Sequence, residues 1–281
     1  MLSSGVPTRE EYLRLESDPL YGELLKFSRE FERQCQTGSK SANSYSIKWV
    51  KDPFLQWSRR WEYLYTAQRL MEWAADKQVP TKVIDAGSGF TFFPFYLLQA
   101  ISELEIYCFD ADPTAGEALQ DSVELLEAGP EFYLEDLENL SQDDETYDAV
   151  YSVSVIEHTK NPQKVVDEIN RVLKPGGVFI CTFDISFESR SPMYTRRVEK
   201  LVDHIVSTFD VSSDLEPISF GSLPENPDIV TTQWNTETVR AGLPWRQPLL
   251  VWAYDALRGR FRKSLYRPMT FCCLTVTRKQ Q

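Results

Sequence analysis

Asp85, Gly87 and Gly89 alternate at the end of an apolar run in VIDAGSGFTFFPFYL, residues Val83 to Leu97. Glycine lets backbone approach a ligand closely. A helix N-terminus just beyond favours a negative group. An acid two residues ahead of the first glycine suits a cationic part of a ligand, such as an amino group or a sulfonium. Dinucleotide enzymes also use a strand, a glycine-rich loop and a helix, but their first strand runs straight into Gly-x-Gly-x-x-Gly.

His158 is one of two histidines in the chain. A base titrating near neutrality can take a proton from a hydroxyl as that oxygen reacts. The other reading of His158 is a residue that orders its loop. Glu157 reads as a structural group or a hydrogen-bond partner. Arg59 and Arg60 are candidates for capturing a carboxylate, to which a guanidinium binds through two parallel hydrogen bonds. Trp57, Trp61, Tyr63 and Tyr65 either cover a ligand or pack as a helical stripe. Arg190, Arg196, Arg197, Lys200, Arg258, Arg260, Arg262 and Lys263 are candidates to receive a phosphate or carboxylate on a substrate. His204 reads as an amphipathic helix position.

The elements that must hold these groups follow a regular order. Residues 1 to about 80 are helical and polar, with Trp57, Trp61, Tyr65, Leu70 and Trp73 at helical spacing. TKVIDA is a buried strand, and Pro94 sits in the first turn of a helix over 94–102. EIYCFDAD is a second strand ending in acids. Asp112 caps the helix that follows, and Gly129 is its C-terminal cap. EFYLED and YDAVYSVSV are the third and fourth strands. A helix over 161–173 is closed by KPGG, and GVFICTFD is the fifth strand. Strands alternating with helices mean a parallel sheet covered on both faces. MTFCCLTVTRK is a late strand with no helix after it, so it runs antiparallel. Between Ser186 and Pro268 the alternation breaks, and the stretch reads as a lid or substrate-shaping insertion.

Bulk properties set limits. The 281 residues carry a net charge of -12, which argues against a broad grip on nucleic acid. No apolar run approaches the roughly 20 residues of a membrane span, and the first residues lack the layout of a signal peptide. The five cysteines show no CxxC pairing and read as reduced thiols of a cytoplasmic protein.

The stretch from Asp85 resembles motif I of class I S-adenosylmethionine (SAM)-dependent methyltransferases, D/ExGxGxG, with Thr91 at the third glycine. The resemblance runs over about residues 80–184 and includes EDLENL, the EH of IEH and LKPGG. It is closest to the small-molecule subgroup that includes quinone-biosynthesis methyltransferases. The RRWEY segment bears a weaker likeness to members of sugar and polysaccharide pathways. The resemblance implies a Rossmann-like, doubly wound, mostly parallel seven-stranded sheet with an antiparallel last strand. Residues 1–80 would form a helical cap, and 81–281 the SAM-binding domain with an insertion at about 186–268. It implies SAM as cofactor, held by Asp85, Ala86, Gly87, Gly89, Asp110, Ala111, Asp136, Leu137 and Ser152; carboxylate capture by arginine and aromatic cover of the ligand add Arg60 and Tyr63 as further contacts. Asp110 would take the ribose hydroxyls, Asp136 the adenine amino group, and the Leu137 N–H a ring nitrogen. Relatives with ExxEH bind a divalent metal; Ser154 stands where they have the first glutamate, so no metal is expected.

The expected reaction is methyl transfer to a small-molecule hydroxyl, a metabolite or glycan precursor, with His158 as base. N-methylation is next. The rivals are a dinucleotide oxidoreductase, for which LKPGG has no role, and a SAM-fold protein that binds a partner without turnover. A protein or nucleic-acid methyltransferase is disfavoured by the acidic balance.

Overall fold

Strand β1, Thr81–Ala86, lies inside a sheet and is buried at every position but Lys82. The computed structural model describes residues 1–280 other than 49–51, 76, 78–79, 190, 192, 244–247 and 258–264. The other strands are β2 Leu104–Asp110, β3 Glu131–Leu134, β4 Tyr147–Val153, β5 Leu173–Ser186, β6 Phe209–Val211 and β7 Met269–Arg278. Their order is β3-β2-β1-β4-β5-β7-β6. The first five run parallel, and β7 is antiparallel to both β5 and β6. The sheet is therefore the expected seven-stranded, doubly wound one. Its order reverses between β1 and β4, and such a switch point opens a crevice at the strands' C-terminal ends.

The helices are α1 Arg9–Leu13, α2 Pro19–Gly38, α3 Lys40–Lys48, α4 Arg59–Ala74, α5 Phe93–Ala100, α6 Pro113–Leu126, α7 Pro162–Val172, α8 Thr195–Thr208, α9 Thr232–Glu237 and α10 Pro248–Leu257. Side chains alternate across a strand, and here each face buries its own core. Val83, Cys108, Tyr151 and Ile180 point into a core shared with α2, α4, α5 and α6. Ile84, Phe109, Val150 and Cys181 point into one shared with α7 and α8. Trp57, Trp61 and Tyr65 are wholly inside the first core, Trp61 stacked on Tyr12 with ring centroids 6.1 Å apart. The N-terminal segment joins the sheet directly, as Gly5 bridges Cys273 and α4 packs on β4, β5 and β7.

Several boundaries differ from expectation. The left-handed residue ending α6 is Glu127, not Gly129. A Cβ on Gly129 would meet Val123 at 2.5 Å and Phe95 at 2.7 Å, so packing explains that glycine. The KPGG turn is absorbed into β5, whose pairing with β4 shifts between Tyr147 and Ala149. Strand β6 lies inside the stretch read as an insertion, and α8 before it packs on α7. Cys108, Cys181, Cys272 and Cys273 are buried strand thiols, as expected. Among the described residues no helix is long and apolar enough to cross a membrane.

Candidate functional site

The loop after β1 is built around two left-handed glycines, Gly87 at φ +78° and Gly89 at φ +51°. A Cβ on Gly87 would stand 2.3 Å from Val155, and one on Gly89 2.8 Å from the Tyr45 hydroxyl. The loop is thus pressed between the turn after β4 and helix α3, with no room for side chains. The N–H groups of Gly87 and Ser88 donate to the Phe109 carbonyl, at 2.8 and 3.1 Å. Asp110 ends β2 and braces the same loop. Its Oδ2 accepts the Gly89 N–H at 2.8 Å, and its Oδ1 accepts the Asp112 N–H at 2.8 Å. A carboxylate oxygen has lone pairs for more than one donor, so Asp110 can still take a hydroxyl. Asp112 caps α6 through the Thr114 N–H at 2.9 Å, as expected, and Ala111 beside it is exposed.

Asp85 and Ala86 lie buried at the end of β1. Asp85 accepts a hydrogen bond from the Tyr151 hydroxyl at 2.9 Å. Burial pushes its pKa up to about 8; the Tyr151 bond opposes the rise, and Asp110 adds to it. A cation placed beside it would draw it back to the charged form. Ser152 is turned inward, its Oγ donating to the Ala86 carbonyl at 2.8 Å and tying β4 to β1. After β3, the Asp136 side chain accepts the Glu138 N–H at 3.0 Å and forms a tight turn. Leu137 is buried, and among the described residues no acceptor takes its N–H. The register Asp110↔Leu134 brings this turn beside the end of β2.

Arg59 and Arg60 diverge because successive helical residues point about 100° apart. Arg60 pairs with Glu16 at 3.0 Å and with the Tyr21 hydroxyl, away from the loop. Arg59 reaches the sheet, donating to Ser154 Oγ and to Glu62. Tyr63 packs on Phe92 and Phe93, with ring centroids 5.2 and 4.7 Å away. Thr91, the residue at the third glycine position, accepts the Phe93 N–H at 3.4 Å.

A second group of polar side chains gathers where β4 and β5 end. Glu62, fully buried, accepts from Ser154 Oγ at 2.6 Å and Thr182 Oγ1 at 2.7 Å. Ser154 itself is left-handed, φ +51°. Glu157 accepts the Asp184 N–H at 2.8 Å on Oε1, while its Oε2 and Asp184 Oδ1 are buried without a partner among the described residues. His158 is half exposed, its Nε2 4.0 Å from Glu157. Burial raises the pKa of both Glu157 and Asp184, and lowers that of His158. Burial thus favours the neutral form of the His158 ring. Glu157, His158 and Asp184 each offer one ligand atom, all within 4.8 Å of one another, so these three could hold a cation. The Arg59 guanidinium already acts electrostatically on all three.

Glu62, Asp184 and Tyr45 have no place in the sequence reading. Asp184 carries the signal that marked Asp85 and Asp110, an acid closing an apolar strand. Tyr45 carries none. Of the basic candidates, Arg196, Arg197 and Lys200 lie on α8, while Arg190, Arg258, Arg260, Arg262 and Lys263 fall outside the described residues. His204 joins α8 to α7 through Asp167 at 2.7 Å.

Comparison with known proteins agrees with this geometry. Residues 84–181 match a family described as a methyltransferase domain. A segment of 49 residues is 43% identical to a mitochondrial ubiquinone biosynthesis O-methyltransferase of Dictyostelium discoideum, covering 17% of this chain and 15% of that protein. The chain's match thus spans about a seventh of that relative's length. Among solved structures, the [4+2]-cyclase SpnF superposes with a TM-score of 0.50 at 18% identity, over 76% of this chain and 82% of that one. A phosphoethanolamine N-methyltransferase of Haemonchus contortus, crystallised with S-adenosylhomocysteine, gives 0.50 at 15% identity, over 77% and 53%. At these identities the superpositions show the fold alone. The family match, with the strand order and the acid–glycine loop, places a methyltransferase domain over residues 84–181.

Proposed function

We propose that the protein transfers the methyl group of SAM to a hydroxyl of a small-molecule acceptor. One arrangement carries this reading: the glycine cradle after β1, His158 after β4 and Asp184 near the end of β5 all stand at the C-terminal ends of strands around the switch point of the sheet, where such folds open a ligand crevice. The cradle fits the cofactor. Its glycines leave backbone bare, Asp85 awaits a cation, Asp110 has lone pairs for hydroxyls, and Leu137 offers an N–H. SAM supplies an electrophilic methyl on sulfur, so the protein's task is to align the acceptor and exclude water. His158, half exposed and with burial favouring its neutral ring, would take the acceptor hydroxyl's proton, SAM when bound supplying the methyl group that the oxygen gains. Asp184 stabilises the imidazolium that results, its charge favouring the protonated ring.

The reading is metal-independent. The Arg59 guanidinium supplies the positive charge beside Glu157 and Asp184, and it would repel a dication. The acceptor carries an anionic group and is not a nucleic acid, in line with the net charge of -12 and the cations of α8. Buried thiols fit a reducing compartment such as the cytoplasm. The described parts of residues 1–80 and 186–268, apart from α8 and β6, which belong to the sheet and its helix layer, would close the crevice as cap and lid. A screen of hydroxylated and amine metabolites for a 14-dalton mass gain tests the reaction. Gain on amines alone would replace O- by N-methylation, and no gain with SAM bound would leave a binding protein.

A further inference from the structure

A cavity of about 180 Å³ opens between the turn after β4 and helix α8. Its wall includes Lys160, Arg197 and Lys200, with Glu157 as the residue shared with the His158–Asp184 group. A space of about 150 Å³ already admits a benzene-sized molecule, so this one admits a phosphate or carboxylate group. Arg171 and Arg278, by contrast, are held by carboxylates, and Lys174 by Asp148. Among the described residues the side chains of Lys160, Arg197 and Lys200 have no hydrogen-bond or ion-pair partner. Three unpaired cations converging on one cavity are unusual in a chain with 42 acidic and 30 basic residues.

The cavity also touches the start of α7. Asn161 caps that helix through the Lys164 N–H at 3.3 Å, and the helix dipole adds positive potential at its mouth. Glu157 is the one acid among the lining residues. Its Oε2 is buried and has no partner among the described residues. Burial raises the pKa of Glu157, and in its protonated form the carboxyl donates an O–H.

We propose that Lys160, Arg197 and Lys200 form the subsite for an anionic substituent of the methyl acceptor, a phosphate or a carboxylate. The inference rests on the reading that the acceptor's hydroxyl meets His158. Because Glu157 borders both places, the anion and the reacting oxygen belong to one small molecule. The acceptor is then a phosphorylated or carboxylated hydroxy compound, not a neutral one.

The test is calorimetric titration of the S-adenosylhomocysteine-loaded protein with inorganic phosphate and, separately, with acetate, chloride holding ionic strength constant. The expected result is saturable binding of one of the two anions, which also tells phosphate from carboxylate. Binding weakens about tenfold or more in Arg197→Ala/Lys200→Ala, the loss of one or two charge-assisted hydrogen bonds. These side chains are exposed, so the variants keep their fold and their S-adenosylhomocysteine affinity. Unchanged anion affinity in the double variant, or no saturable binding of either anion to the wild type, overturns the proposal. Anion binding by a protein that ignores S-adenosylhomocysteine supports the subsite and removes the methyltransferase reading beneath it.

Discussion

The Asp110 carboxylate, at the end of one strand, accepts the N–H of Gly89, in the loop after the neighbouring strand, at 2.8 Å. This bond fixes the loop's shape from outside the loop. Replacing Asp110 by Asn keeps the size but offers an amide where one acceptor oxygen was. Asp110→Asn should weaken S-adenosylhomocysteine binding about tenfold or more, because the loop loses its brace and the ligand a carboxylate. Calorimetry reads this directly, and unchanged affinity would remove Asp110 from the site.

Gly87 tests the packing of the same loop. Gly87→Ala drives a methyl into Val155 at a left-handed φ, and should cost about 1–3 kcal/mol of stability. Gly87→Ala/Val155→Ala should recover part of the loss, since it relieves the clash but not the backbone strain. A denaturant melt that finds both variants equally unstable would contradict that division.

Glu62 holds three partners inside the core. Removing it leaves the Arg59 guanidinium without its buried counter-charge, which costs about 3–5 kcal/mol. Glu62→Ala should fall in that range by chemical denaturation. Arg59→Met/Glu62→Leu should be the more stable of the two variants, because it removes both charges.

Stability should fall as pH rises from about 5 to 8. Asp85, Glu157 and Asp184 all have folded-state pKa values above their unfolded ones, through burial. In that window the folded protein holds more protons than the unfolded chain, so raising pH favours unfolding. Thermal melts of the ligand-free protein across this range check the sign, and Asp85→Asn should flatten the slope. A melting temperature that climbs from pH 5 to 8 would show that these carboxyls are not the dominant titrating groups.

Chelation separates the two readings of the acidic pair. Methyl transfer should survive dialysis against a chelator, because Arg59 supplies the charge beside Glu157 and Asp184. Loss of activity restored by a divalent cation would assign Glu157, His158 and Asp184 to that ion.

Much of this architecture is legible in the sequence because buried parallel strands write continuous apolar runs. The runs ending in Asp85 and Asp110 placed two site acids at strand ends, where the structure has them. The three residues of β6 carry too short a pattern to be seen. Arg59 and Arg60 look alike in sequence, and the helix phase against the sheet decides between them. Tyr45 meets Gly89 only because α3 packs on α6, a contact no local pattern encodes. Glu62 reads as one more polar position in RRWEY, and only the three-dimensional arrangement shows it buried among Arg59, Ser154 and Thr182.

The most direct measurement is calorimetric titration of the protein with S-adenosylhomocysteine, with NADH as the control ligand. Binding at micromolar concentrations or tighter, for S-adenosylhomocysteine alone, is the predicted result. Absence of binding by the folded protein, or binding of NADH in its place, would contradict the assignment of the Asp85–Gly89 loop to SAM.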